Sequence, residues 1–573
     1  MARANDEVEA LLREYADLLA ITGGGAFKQR AYERAARAVG GHTGDIGALD
    51  ADGLREIPGV GASIADKIEE YLRTGRVPAV ERARSSVPPG VRALLDVPTL
   101  GPKKAMTLYR ELGVSSVDEL AAAVREDRLA GLAGFGPKAR ANLERGLAVL
   151  RASGGRIALD VALAVAEETV AALGAAPGVT RCAYAGSVRR MRETIGDVDV
   201  LAAAEDPEPV MAAFVELPLV AEVVARGRKK TTVRTVDGLQ IDLRVLGEES
   251  WGAGMIYFTG SKAHNIRLRE SAVRRGLKLS EYGLFDAETG RRRAAADEEE
   301  VYRRLRLPWI PPTLREDRGE IEAAGRDALP RLVTEADLRG DLHSHTDLTD
   351  GVAPLAEMVA AAARRGLRYY AVTDHAPQLR MQRMTLEKAR AQREELRQLA
   401  GRHGRLKLLH GTELNIDPEG NVDWPAEVLA EFEVCVASIH SHFDLDRDAQ
   451  TRRLLRACEN PHVHIIGHPT TRKFGRRTGV DVDLDAVFAA CARTGTALEI
   501  NSHPNRLDLD DAHILRAREH GVRFSIDSDA HAPAHLGHVR FGVAQAQRGW
   551  LTPDDVINTW PLTRLRGFLR GGR

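Results

Sequence analysis

GSVRRMRETIGDVDV, residues 186–200, places a glycine turn and a basic stretch ahead of two aspartates separated by one residue. Side chains alternate along a strand, so Asp197 and Asp199 share one face while Val198 and Val200 face a core. Two parallel carboxylates suit Mg²⁺, which takes hard oxygen ligands and keeps several waters for exchange with nucleotide phosphates. The segment therefore points to phosphoryl transfer.

The surrounding pattern reads as a helix over Leu159 to Leu173, strands over Arg181 to Ala185 and Asp197 to Ala202, and a hairpin turn at Asp237-Gly238. The strand after that turn, Leu239 to Val245, alternates again. Gln240, Asp242 and Arg244 take the polar face, and Ile241, Leu243 and Val245 point inward. Asp242 is thus a third carboxylate. Three such acids can hold two Mg²⁺ ions, one at an attacking hydroxyl and one at a triphosphate, and Asp242 is also a candidate proton acceptor for a 3′-hydroxyl. A single aspartate at a strand end is commonly a surface residue, but three with this alternation are not. The tract Arg226-Gly-Arg228-Lys229-Lys230 before the hairpin reads equally as a grip on phosphates or as a solvated charge run.

Upstream, IPGVGASIADKI from Ile57, VPTLGPKKAMTL from Val97 and LAGFGPKARANL from Leu132 repeat one theme, an apolar glycine turn followed by a helical pattern. The glycines Gly59, Gly61, Gly101 and Gly136 allow a tight turn, and the free amides at each helix start can hold an anion. One copy reads equally as a helix-helix turn, whereas three favour nucleic-acid backbone, with Lys103 and Lys138 just inside their helices. The first ninety residues carry about as many acids as bases, so no basic stripe strengthens that grip. Lys67 lies one helical turn past the first hairpin, with Lys28 and Tyr32 on the preceding helix. Such a lysine can form a Schiff base with an abasic sugar, although a solvated or phosphate-contacting lysine is the commoner case.

At 573 residues the chain exceeds one core, and its net charge of −1 neither argues for nor excludes a polyanionic partner. Cys182, Cys435, Cys458 and Cys491 form no CxxC pair, which disfavours a disulfide framework and fits a reducing cytoplasm. No apolar run approaches the roughly 18 residues that a membrane span needs, and the charged, amphipathic start is no export signal.

PWIPP at residues 308–312 and the acidic stretch from Arg315 to Leu329 read as a break and a linker. Beyond Leu338 short apolar strands alternate with helical stretches: YYAVTDH, LKLLHGTEL, VCVASIHSHF, HVHIIGHP, ALEINSHP and RFSIDSDAH. This rhythm predicts a parallel sheet or barrel with its active face at the carboxyl ends of the strands. There stand His343, His345, Asp350, His375, Glu413, His440, His468, Asp529 and His531, nine nitrogen and oxygen ligands suited to more than one Zn²⁺, Mn²⁺ or Fe²⁺ ion. His442 and His503 fall outside that pattern and are read as neighbours of the site or as surface residues.

GSVRR, GDVDV, QIDLRV and YFTGSKAHN (from Tyr257), in that order and spacing after the hairpins, resemble the family X DNA polymerases over roughly the first 320 residues. The resemblance implies that Asp197, Asp199 and Asp242 bind catalytic Mg²⁺, with Mn²⁺ a possible substitute. It further implies that Arg156, Gly186, Ser187, Arg190 and Gly196 contact or shape the triphosphate site, and that Tyr257, Phe258 and Gly260 screen the sugar. Asn265 and Arg269 correspond to minor-groove and template contacts. Lys262 and Gln240 depart from the best-known vertebrate members, which carry an acid and an arginine there. Lys67 matches the family's lyase lysine, while Ser63 stands where a helper lysine is usual. The barrel motifs resemble the PHP superfamily over residues 338–573. By that likeness His343, His345, Glu413 and Asp529 hold one ion, Glu413 bridges to a second at His440 and His468, and Asp350, His375 and His531 hold a third, as Mn²⁺ or Zn²⁺.

The expected architecture is multidomain. It runs from an α-helical helix-hairpin-helix region (1–85, then a fingers-type domain 86–152), through an α/β nucleotidyltransferase palm (153–250) with a thumb-type domain (251–314), to a linker (315–337) and a C-terminal (β/α) PHP barrel (338–573). The expected function is gap filling on gapped or primed DNA with dNTPs, in base-excision or break repair, by a cytoplasmic monomer. The barrel would supply 3′-5′ exonuclease activity, with abasic-site incision or 3′-phosphate removal as related options. A nucleotidyltransferase acting on RNA or a small molecule, joined to a phosphatase, is disfavoured by the hairpins and by Tyr257-Phe258. A DNA-end scaffold with decayed sites is disfavoured by the intact acid and histidine sets.

Overall fold

The structure, a computed structural model, describes residues 3–571 apart from 23, 43, 98, 99, 154, 237 and 380–383. Asp237 of the expected hairpin turn therefore lies outside the described residues. Gly238 beside it has a φ of 82°, a left-handed conformation that glycine adopts without steric penalty.

The amino-terminal region is helical, and its apolar positions form one core running from Val8 to Leu147. The first hairpin joins helix Ala51–Glu56 to helix Ala62–Thr74 through Gly59, whose φ is +86°. The second places helix Pro102–Leu112 directly after Gly101, and the third places helix Pro137–Ser153 after Gly136. Neither Gly61 nor Gly101 supplies a side-chain cap, which leaves first-turn amides of those helices available to an external acceptor.

The palm is a five-stranded sheet of β1 (Val179–Tyr184), β2 (Asp197–Ala204), β3 (Val220–Arg226), β4 (Lys230–Thr235) and β5 (Gln240–Leu246), ordered β1-β2-β5-β4-β3. The central pair β2 and β5 is parallel, and the rest is antiparallel. Val198, Val200 and Ala202 with Ile241, Leu243 and Val245 pack against helices Leu159–Gly174 and Pro207–Val215. That apolar face forces the alternate residues, including the aspartates, to the opposite side. Helices Trp251–Thr259 and Lys262–Val273 and a small antiparallel sheet follow around a core of their own.

Seven parallel strands build the last third: β6 (Gly340–Asp341), β7 (Tyr369–Val372), β8 (Lys407–Asn415), β9 (Val434–Ser438), β10 (Ile465–Ile466), β11 (Ala497–Asn501) and β12 (Phe524–Asp527), paired in chain order. A parallel bridge from Ser344 to Ala530, with the His345 N–H donating to Ala530 O at 2.8 Å, brings the two edges together as a barrel. Leu342, Tyr369, Leu409, Val434, Val436, Ile465 and Ala497 fill it against Trp560 and Phe568. Among the described residues no helix is long and apolar enough to cross a membrane.

Residues 315–337, expected as a linker, are packed rather than extended. Arg315 is fully buried and pairs with Glu298 at 2.9 Å, and buried Glu320 accepts from His264 Nδ1 at 2.6 Å. Glu316 joins three parts of the chain. It pairs with Arg190 of the palm at 3.0 Å and with Arg548 of the barrel at 2.9 Å, and Arg548 also donates to the Arg190 carbonyl and pairs with Asp511. Proline-rich PWIPP read as a boundary because charged residues in its wake look solvated in isolation, yet here they are paired and hidden. Arg548→Met leaves Glu316 and Asp511 short of a buried partner, an expected loss of about 3 kcal/mol that a denaturant unfolding midpoint will register.

Candidate functional sites: a three-aspartate palm and a histidine-rich barrel mouth

Register decides the palm site. Parallel pairing sets Asp197 opposite Gln240 and Asp199 opposite Asp242, so the three carboxylates lie on one face of neighbouring strands. Gly186 turns directly over Asp199, where an added Cβ would meet Asp199 Oδ2 at 2.2 Å, and its φ of +58° also disfavours a side chain. Burial beside Asp197 and Asp242 pushes the Asp199 carboxyl up to about 7. Asp242 is held by Thr232 Oγ1 at 2.6 Å and by Lys230 Nζ at 2.7 Å. Lys230, expected on DNA phosphate, is thus engaged at the carboxylates, whereas Lys229 is exposed.

The expected nucleotide contacts surround this face. Arg156 bonds Thr194 and comes within 3.2 Å of where a Cβ on Gly196 would stand. Ser187 lies half-buried in the turn helix Gly186–Arg189. Arg190 is pinned by Glu316 and donates to Thr259 O beside Gly260. Tyr257 meets Phe258 edge-on at 5.0 Å, Arg244 lies over the Phe258 ring at 4.6 Å, and Asn265 donates to Tyr257 O at 2.7 Å. Arg269 continues that line by donating to Asn265 O. On the hairpins Lys103 is exposed, and Lys67 Nζ donates to Ser63 O and Oγ at 2.8 and 3.0 Å. The Lys138 side chain lies outside the described part.

The nine expected barrel ligands meet at the carboxyl mouth. Glu413 is at the centre: His440 and His468 Nε2 stand 3.1 Å from Oε1, His375 Nδ1 2.9 Å from Oε2, and His343 and His345 at 3.5 and 3.6 Å. Asp529 adds an oxygen 3.2 Å from His345 and 3.7 Å from His343. Asp350 faces His375 at 3.3 Å and His531 at 3.4 Å. The donors group as His343, His345 and Asp529, as His375, Glu413 and His440, and as His345, Asp350, His375 and His531. His375 Nδ1 and His468 Nε2, with Nε2 of His440, are the nitrogens turned toward the Glu413 carboxylate, on the side where a cation would sit. The imidazoles hold the Glu413 and Asp529 carboxyls well below the usual range against the opposing effect of burial.

Sequence reasoning missed the residues that aim these ligands. Fully buried Glu499 accepts from His343 Nδ1 at 2.6 Å and from the His468 N–H at 2.5 Å. Asn415 Oδ1 meets His440 Nδ1 at 2.7 Å, and Asp423 holds Asn415 in turn. A carboxylate on Nδ1 fixes the tautomer that leaves Nε2 free for a metal. A polar residue one or two places before the end of a buried strand, as Glu499 is in ALEIN, was the available signal. His503, set aside as a neighbour or surface residue, groups with His535 and His538, while His442 is exposed.

A parallel-core palm with a thumb, joined to a histidine-lined barrel, defines a polymerase-type nucleotidyltransferase fused to a metal-dependent phosphoesterase fold. Matching family models are a helix-hairpin-helix domain at residues 3–77, a SAM-like helix-hairpin-helix tandem at 91–143, a DNA polymerase beta thumb at 254–316 and a PHP domain at 341–503. The "DNA polymerase/3′-5′ exonuclease PolX" of Bacillus subtilis is 35% identical over 567 residues, covering 98% of this chain and 99% of its own. Probable phosphatases of Edwardsiella ictaluri and Syntrophotalea carbinolica match 41% and 38% of the chain at 30% identity, over 95% and 90% of their lengths. The chain belongs to the family X DNA polymerases that carry a PHP domain.

Two outcomes follow from the geometry. Glu499→Leu will weaken Mn²⁺ binding at the barrel by about 10–100-fold in a metal titration, with Glu499→Gln recovering much of it. The folded carboxyl of Asp199 titrates above its unfolded value, so its stabilisation is full below the unfolded pKa and lost as pH rises through about 7. Metal-free Asp199→Asn will therefore be more stable than the parent at pH 8 and equal to it below pH 4 by chemical denaturation.

Proposed function

We propose that this protein fills short gaps in DNA at the palm and removes 3′-terminal nucleotides at the barrel mouth. The observation that carries the reading is the register pairing of Asp199 with Asp242 beside Asp197, under the Gly186 turn, in one chain with nine converging barrel ligands. The three aspartates would hold Mg²⁺, with Mn²⁺ acceptable. Bound there, the ions supply charge neutralisation for a triphosphate and favour ionisation of the attacking 3′-hydroxyl. Asp242 is the residue to accept the hydroxyl proton, which requires Lys230 to release it. Gly186, Ser187, Gly196, Arg156 and Arg190 bind the triphosphate, and Tyr257, Phe258, Gly260 and Asn265 read the deoxyribose and minor groove.

Backbone amides after Gly61, Gly101 and Gly136, with Lys67, Lys103, Lys138, Lys229 and Arg269, track phosphates of gapped or primed DNA without reading its bases. The oxygen-and-imidazole donor set of the barrel fits three Mn²⁺ or Zn²⁺ ions, which lend Lewis acidity to a phosphodiester. Glu499 and Asn415 keep Nε2 of His343 and His440 aimed at them. Gap filling and end trimming together fit base-excision or break repair by a cytoplasmic monomer. The probable phosphatases matching the barrel favour a second use of the same mouth, removal of a blocking 3′-phosphate, with abasic-site incision a related activity.

One gapped duplex tests both halves. Asp199→Ala will lower dNTP incorporation by roughly three orders of magnitude while sparing Mn²⁺-dependent degradation, and His345→Ala will do the reverse. Loss of both activities in either variant, with an unchanged unfolding midpoint, would sink the model of two separate centres.

A further inference from the structure

Three histidines outside the nine-residue set meet at the barrel rim. His503 lies just beyond β11, and His535 and His538 lie on the 3₁₀ turn Pro533–His538 that follows β12 and His531. Their ligating nitrogens all fall within 4.8 Å of one another, and among the described residues no carboxylate or thiol joins the group. Ring centroids stand 4.8 Å apart for His535 and His538, 5.2 Å for His503 and His538, and 5.7 Å for His503 and His535.

That spacing has a meaning. Imidazoles bound at about 2.0 Å to one tetrahedral ion place their centroids about 5 Å apart. The same range recurs at the mouth itself between rings assigned to one ion, with 5.1 Å between His343 and His345 and 5.3 Å between His440 and His468. Imidazole is the commonest metal-ligating side chain, and each of the three rings is partly withdrawn from solvent. His538 Nδ1 is buried without a hydrogen-bond partner. The Nδ1 atoms of His503 and His535 accept only long contacts, from the Asn505 N–H at 3.4 Å and the His531 N–H at 3.3 Å, beyond the usual range for a strong bond.

We propose that His503, His535 and His538 form a separate all-nitrogen site for a divalent ion of the Zn²⁺ class, which clamps the loop after β11 to the turn that follows His531. Three imidazoles leave one tetrahedral position for water. An all-nitrogen set selects against Mg²⁺, the ion suited to the palm carboxylates. The clamp would fix the segment whose upstream end presents Asp529 and His531 to the barrel mouth.

Zinc stoichiometry tests this. Metal-depleted full-length protein is dialysed against buffered Zn²⁺ alone, and bound zinc is counted by elemental analysis. His538→Ala and His503→Ala are each expected to hold one ion per chain fewer than the parent, and the double variant to lose no more than either. His345→Ala is expected to lower zinc content independently, so the two losses add in combination. Equal zinc content in parent and both single variants, or a double variant that loses two ions, overturns the proposal. His503→Gln, which keeps a polar side chain, guards against misfolding. Its midpoint without metal is expected to match the parent, and its Zn²⁺-induced rise to be smaller. An equal rise overturns the clamp.

Discussion

A carboxylate withdrawn from water must be met by positive charge or give up its own, and both centres of this protein are built on that constraint. In the palm, Asp197, Asp199 and Asp242 share one sheet face, Lys230 brings a positive charge to Asp242, and Asp199, buried beside its two neighbours, has its carboxyl pushed up to about 7. In the barrel, Glu413 lies among five imidazoles within 3.6 Å and stays ionised instead. On the proposed reading, cations would relieve the carboxylate crowding of the palm and would take up the imidazole nitrogens around Glu413. Cation binding at the palm would then offset the repulsion among acids that the paired strands hold together.

The same rule acts between domains. Arg190 would face a triphosphate, and it is braced by Glu316, which is shared with Arg548 from the barrel. Arg472 of the barrel pairs with Glu193 of the palm at 2.8 Å, and Phe541 and Leu507 complete the palm's apolar core. The synthetic and hydrolytic halves are therefore packed against each other through charges and apolar contacts that neither half satisfies alone. The amino-terminal core also reaches the barrel, where a Cβ added at Gly41 would meet the Ala532 side chain at 2.4 Å.

Much of the site was legible because strand alternation is a local rule. DVDV and QIDLRV announced three acids on one face, and the register then set Asp199 opposite Asp242. Strand-end histidines were equally legible, since a parallel barrel gathers the carboxyl ends of its strands. Glu499 was not, because a lone acid inside a buried strand carries no periodic signal until a histidine 156 residues upstream is seen against it. The role given to Lys230 shifted for the same reason: a basic tract looks solvated or DNA-facing until the sheet brings one of its members onto Asp242.

By itself, the sequence determined the class of each part: glycine turns ahead of helices, alternating acids, and histidines at repeated strand ends. These depend on chemistry within a few residues, where backbone geometry alone dictates which side chains share a face. Only the tertiary structure decided which charges are buried and who neutralises them. It made residues 315–337 a packed hub, turned His503 from a bystander into a member of a three-histidine group, and set palm against barrel. Burial and pairing are properties of surfaces brought together across hundreds of residues, and no local pattern records them.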